Sequence, residues 1–227
     1  MTKDLKAKLS KLQYEVTQNA GTDAGNTAVG HVAGTSITTG DQNTLIGAFA
    51  GDALTDADKN VAIGRSAVNA LTTGCHNVGI GGAALGGAAV TGNHNVGIGG
   101  SAADAITSGA CNVAIGKDAL GAATTACDNI AIGQLALGAG ITTGANNIAI
   151  GISAMDALTS GANNIGLGKN ALGASTSGTG NVAIGELALG ATDVTGNDNV
   201  AIGKASADAL TSGACNIAIG LNALGAA

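Results

Sequence analysis

Proline and tryptophan are absent from the 227 residues, and Tyr14 and Phe49 are the only tyrosine and phenylalanine. A core without aromatic rings is thin and filled by Ile, Val, Leu and Ala, which suits a stack of short strands better than a thick sandwich. The missing proline fits a backbone whose N–H groups are nearly all committed to a ladder. Charge is also scarce, at 11% of residues. The first twenty residues hold four lysines against Asp4 and Glu15, a net of +2, and the remaining five basic and thirteen acidic residues give −8, which sums to the −6 of the chain. An acidic body without aromatic platforms argues against nucleic acid as a partner. No apolar run approaches the roughly 20 residues of a membrane-spanning helix, so no membrane insertion is expected. The segment 1–10 has the positive charge of a signal peptide but no apolar stretch, so no secretion signal is recognisable.

What the chain has instead is one short stretch, repeated. Its clearest copy is Asn112-Val113-Ala114-Ile115-Gly116, and an Asn opens a version of it at 26, 43, 60, 77, 95, 112, 129, 147, 164, 181, 199 and 216, at intervals of 17 or 18 residues. Counting from each Asn as position zero, position four is Gly in all twelve copies, from Gly30 through Gly64 and Gly116 to Gly220. Position three is Ile in ten, with Val29 and Leu167 as exceptions, and position one is Val or Ile in ten. Two β-branched residues one apart, bounded by Asn and Gly, predict a three-residue strand. The period therefore predicts an all-β parallel β-solenoid of about twelve coils over 21–227, preceded by a short amphipathic helix over 1–20. Asn and Gly at fixed phase are suited to corners at positive φ, and stacked Asn residues such as Asn60, Asn112, Asn164 and Asn216 can form an amide ladder.

Position two carries more information. It is Ala or Gly in eleven copies, Leu45 alone differing, where an exposed strand would carry Thr, Lys or Glu. A strand branched on one face and uniformly tiny on the other is expected to be buried on both. One face fills the coil, and the other packs closely on something else, such as the same strand of a neighbouring subunit; the sequence leaves open which is which. Position seven, Ala in eleven copies and Ser206 in the twelfth, suggests a second short strand or bend.

A longer period overlies the short one. Asp52, Asp104, Asp156 and Asp208 are spaced 52 apart, so three coils of 17, 17 and 18 residues form a supermodule. At ~4.8 Å per coil these carboxylates lie roughly 14 Å apart, too far to share a metal ion, and are expected to form a charged outer stripe or a lateral contact. In the N-terminal segment Leu5, Leu9, Leu12 and Val16 are spaced 4, 3 and 4, which fits either a two-heptad coiled-coil seam or a lid over the first coil.

The pattern Asn-x-Ala-Ile/Val-Gly-x-x-Ala-Leu, followed by Thr-Thr-Gly and the next Asn, resembles the repeats of phage and viral tail-fibre proteins. It is also similar to the head repeats of trimeric autotransporter adhesins, left-handed β-rolls. The resemblance covers about residues 26 to 227. It implies a homotrimer of parallel solenoids with a virion or extracellular role, and would agree with the Ala/Gly row and the N-terminal heptads. The missing secretion signal favours cytoplasmic assembly, as for virion proteins.

No constellation for catalysis stands out. Gly79-Ile80-Gly81 and Gly97-Ile98-Gly99 echo a dinucleotide loop but recur as repeat phases with no helix-forming stretch after them. His76 and His94 fall one coil apart beside Cys75, without a third metal ligand. Cys75, Cys111, Cys127 and Cys215 all fall one or two residues before a repeat Asn and read as small turn residues; Cys111 and Cys127 are about one coil apart but out of register by one. The expectation is therefore no enzyme, no catalytic residue, no metal and no cofactor. The leading reading is a structural fibre protein, shaft or building block of a viral or phage appendage used in host attachment, with itself and other virion or surface proteins as partners. An adhesin head touching a host surface, or a filament subunit stacking end to end, are the alternatives. A regular Thr face also permits ice binding, against which the Thr positions shift between coils.

Overall fold

A computed structural model describes residues 25–225, so the helix expected over 1–20 lies outside the described residues. The twelve repeats form twelve strands: β1 (Thr27–Val29), β2 (Thr44–Ile46), β3 (Val61–Ile63), β4 (Val78–Ile80), β5 (Val96–Ile98), β6 (Val113–Ile115), β7 (Ile130–Ile132), β8 (Ile148–Ile150), β9 (Ile165–Leu167), β10 (Val182–Ile184), β11 (Val200–Ile202) and β12 (Ile217–Ile219). They pair in sequence order into one parallel sheet, each residue opposite its equivalent in the next coil, as Ala114 is opposite Ala131. The fold is thus a parallel β-solenoid; coils are numbered 1 to 12 from their opening Asn.

Each strand is closed at both ends. At its start, the Asn112 amide and side-chain Nδ2 both donate to Asn95 Oδ1, at 3.1 and 3.0 Å, while Nδ2 also donates to the Ala126 carbonyl at 2.7 Å. Asn112 Oδ1 in turn accepts from Asn129, so the expected amide ladder runs through the rod and ties each coil's beginning to its end. At the strand's other end the Gly column holds φ between 124° and 146°. A Cβ on Gly116 would stand 2.6 Å from the Gly133 carbonyl oxygen, so only glycine can stack there.

The corners differ from the expectation in one respect. The repeat Asn does not take the left-handed conformation; the residue before it does, together with positions six and eight, as in Cys111, Asp118 and Leu120. Most of these are not glycine, and each costs about 1 kcal/mol relative to a right-handed residue. A ladder shared with both neighbouring coils offsets that cost, which one coil alone would not. Position seven forms a turn, not a second strand.

The core corrects the reading of position two. Its small side chains point into the lumen and are buried, as at Ala62, Ala114 and Ala183, facing a position-eight column that includes Val68, Leu85, Leu120, Leu137, Met155, Leu172 and Leu189, with the closest approach to that of the preceding coil. A Cβ on Gly97 would come within 3.2 Å of Leu85 Cγ, and one on Gly166 within 2.9 Å of Met155 Cε. The tight packing against Ala and Gly therefore comes from within the chain and not from a neighbouring subunit. Leu45, the exception, follows the same physics in reverse: position eight is glycine in coils 1 and 2, and Leu45 methyl carbons lie 2.6 and 2.7 Å from where Cβ atoms of Gly34 and Gly51 would be. Where one of these two walls carries a large side chain, the other carries Ala or Gly.

Candidate interaction surface

With the small residues inside, positions one and three face outward. Val61 and Ile63, Val113 and Ile115, and Ile130 and Ile132 are half-buried, and Ile150, Ile184 and Ile202 expose 39, 36 and 36%. They form two aligned apolar columns from β3 to β12, preceded by Thr27 and Thr44 at the starts of β1 and β2. At ~4.8 Å per strand and ~3.3 Å per residue this face is about 53 Å long and 10 Å wide, or roughly 500 Å². That falls within the ~300–600 Å² of the largest apolar patch on a typical monomer, a patch that is often functional.

The edges of the face differ in charge. After the Gly column, position five carries Arg65, Lys117, Lys169 and Lys204, the first three one supermodule apart. Lys117 pairs with Asp118 at 2.7 Å and Lys204 with Glu186 at 3.1 Å. Before the strands stand Asp41, Asp58, Asp128 and Asp198, with Lys59 among them.

The four aspartates of the supermodule lie apart from this face, at position nine. Asp52, Asp104 and Asp156 are half-buried, and burial pushes their carboxyls above the ordinary carboxylate value, while each is partly held down by its own amide and the next. The charge of Asp118 raises Asp104 further. Asp104, Asp156 and Asp208 each follow an 18-residue coil, whose amides of Ala139 and Gly140 donate to the Asp156 carbonyl at 3.0 and 2.6 Å and whose Thr192 Oγ1 donates to that of Asp208 at 3.1 Å; Asp52 follows a 17-residue coil. Glycines such as Gly87, where a Cβ would sit 2.8 Å from the Asp104 carbonyl oxygen, leave the room. One Oδ1 of Asp208 is buried with no protein partner.

The remaining candidates are placed as follows. His76 and His94 stack with ring centroids 4.8 Å apart, and among the described residues no three His, Cys, Asp or Glu side chains are grouped to hold a metal ion. The four cysteines are free, Cys111 and Cys215 exposed. Cys75 and Cys127 have a role that the sequence did not disclose: their sulfurs accept the amides of Asp58 and Ala110 at 3.4 Å. Asp58, Asn93 and Asn197 use their side-chain oxygens in the same way one coil on, toward Asp41, Cys75 and Thr179. The signal available was the mixture Asp, Cys and Asn at one phase, three residue types sharing an acceptor. The threonines also align, in runs of three per supermodule, and hydroxyls of Thr38, Thr55, Thr91, Thr107, Thr143 and Thr159 donate to carbonyls of the next coil.

No protein family, curated protein or solved structure matches the chain.

Proposed function

We propose that this chain is a structural rod that associates with copies of itself through its Val/Ile face, as a homotrimer serving as shaft or building block of a viral or phage appendage. The observation that carries this reading is the unbroken outward column of β-branched residues along the sheet. Three such faces around a common axis would remove roughly 1,500 Å² from water in all, about 500 Å² per pair of neighbours, so the charged strips flanking the face must add to each contact.

Edge charge supports a parallel arrangement. When copies are related by rotation about an axis along the rod, the Arg65, Lys117, Lys169 and Lys204 edge of one approaches the Asp41, Asp58, Asp128 and Asp198 edge of the next. Inverting one rod would set like charges together.

Sedimentation velocity tests the reading. The wild-type chain should sediment at three times its 21.3 kDa mass, and Ile132→Lys with Ile150→Lys should convert it to a monomer of unchanged β circular dichroism. A wild-type monomer would remove the proposal. Micrometre filaments in electron micrographs would replace it with end-to-end polymerisation.

A further inference from the structure

The single-residue offset between Cys111 and Cys127, which separates them in the repeat alignment, brings them together in space. Cys111 directly precedes the Asn of coil 6 and Cys127 stands two before that of coil 7. Ala110 and Cys127 are cross-coil partners: the Ala110 amide donates to Cys127 Sγ at 3.4 Å, and the Asp128 amide donates to the Ala110 carbonyl at 3.0 Å. Cys111 is next in the chain after Ala110, so it lies diagonally across from Cys127. A coil spacing of ~4.8 Å and a Cα step of ~3.8 Å put their Cα atoms about 6 Å apart, inside the range of disulfides.

Direction matters as much as distance, and two glycines report it. Gly25 and Gly180 occupy the position of Cys111 in coils 1 and 10, with φ of 74° and 71° against 59° for Cys111. A Cβ on Gly180 would point at coil 11, 2.5 Å from Oδ1 of Asp198, which holds there the place of Asp128 in coil 7. A Cβ on Gly25 would stand 3.5 Å from Asp41 Oδ1, and Asp41 holds in coil 2 the place of Cys127 in coil 7. The Cβ at this phase is therefore aimed at the next coil, and at Gly25 it comes within reach of the side-chain tip two residues before that coil's Asn.

We propose that Cys111 and Cys127 are a redox-active dithiol that closes into a cross-coil disulfide, with a low-molecular-weight disulfide such as oxidised glutathione as oxidant. The exposed Cys111 thiolate attacks the glutathione disulfide, forming a mixed disulfide and releasing one glutathione thiolate. The half-buried Cys127 thiolate then attacks Cys111 Sγ, displacing the second glutathione. Two protein thiols are oxidised, one glutathione disulfide is reduced to two thiols, and the two protons released from the cysteines pass to the glutathione thiolates. The bond joins coils 6 and 7 at mid-rod and fastens the solenoid against local unwinding. Cys75 has no counterpart, because Lys59 holds the diagonal place, and Cys215 has none among the described residues.

The test uses the full chain with Cys75→Ser, which keeps an acceptor for the Asp58 amide. After incubation with oxidised glutathione, blocking of free thiols and cleavage after Lys and Arg, segments 66–117 and 118–169 should appear as one linked species in the monomer-mass band of a non-reducing gel. Dithiothreitol should separate them and return the denaturation midpoint from its raised, oxidised value. Adding Cys127→Ser should stop the reaction at a glutathione adduct on Cys111. The proposal fails if Cys111 in the Cys75→Ser chain also stops at that adduct, or if the two segments are linked only between copies. Either result stands apart from self-association, which is read by mass in the absence of oxidant.

Discussion

Replacing Ala114 by Leu places a large side chain on the inner wall of coil 6, where Leu120 already fills the lumen. The added methyl and methylene groups should cost about 1–3 kcal/mol by overpacking. Leu120→Gly alone should cost about 2–5 kcal/mol through the cavity it leaves, eased by about 1 kcal/mol because position 120 has φ of 51° and glycine takes that conformation freely. The double variant brings coil 6 close to the arrangement of coil 2, where Leu45 extends over both Gly34 and Gly51; Ala103 stands in the place of Gly34. Its cost should fall below that of Leu120→Gly alone, with a coupling of roughly 2 kcal/mol between the sites. Urea denaturation followed by circular dichroism reads all four proteins, provided the slopes agree. Additive costs in the double variant would refute an Ala column and a Leu column facing each other across one lumen.

Asp104→Asn should raise the denaturation midpoint at pH 7. Burial lifts the folded carboxyl above its ordinary value of 3.8, so its contribution favours the fold below that pH and is lost as pH rises through the raised value; the advantage of Asn should vanish in acid well below 3.8. Gly116→Ala should cost about 3 kcal/mol or more from its φ of 132° and its approach to the Gly133 carbonyl, whereas Asn146→Gly, at φ of 60°, should be neutral or stabilising by up to about 1 kcal/mol in the same denaturation assay. Asn112→Ala should cost about 2–4 kcal/mol and speed hydrogen exchange at the Asn129 amide, which loses its acceptor, while Asn216→Ala at the less buried end should cost less.

Strand positions, register and the Asn ladder were legible because each depends on residues that recur at one phase and whose physics is local. Val or Ile flanked by Asn and Gly defines a strand whatever surrounds it. The direction of the strand was not legible, because alternation separates two faces without saying which one closes into a lumen. The facing wall settles it: Val, Leu or Met at position eight leaves room only for Ala or Gly at position two. The pair Leu45 and Gly51 contained that information, since the one large residue at position two coincides with glycine at position eight. The left-handed corners at residues such as Leu135 and Leu137 were hidden for another reason. Intrinsic preference opposes them, and only the stacked ladder on both sides holds them. The supermodule aspartates were visible as a period, but their half-buried setting depends on how the neighbouring coils pack over position nine.

The central claim is that the strands turn their small residues inward and present Val and Ile to another copy. Ala131→Cys and Ile132→Cys, made singly in a chain whose four native cysteines are serine, test both halves at neighbouring positions. The thiol introduced at position 131 should resist thiol reagents in the folded protein, while mild oxidation should join the thiols at position 132 between copies into covalent dimers on a denaturing gel. A reactive thiol at position 131, or one at position 132 that stays uncrosslinked in a chain sedimenting as a monomer, would contradict the account.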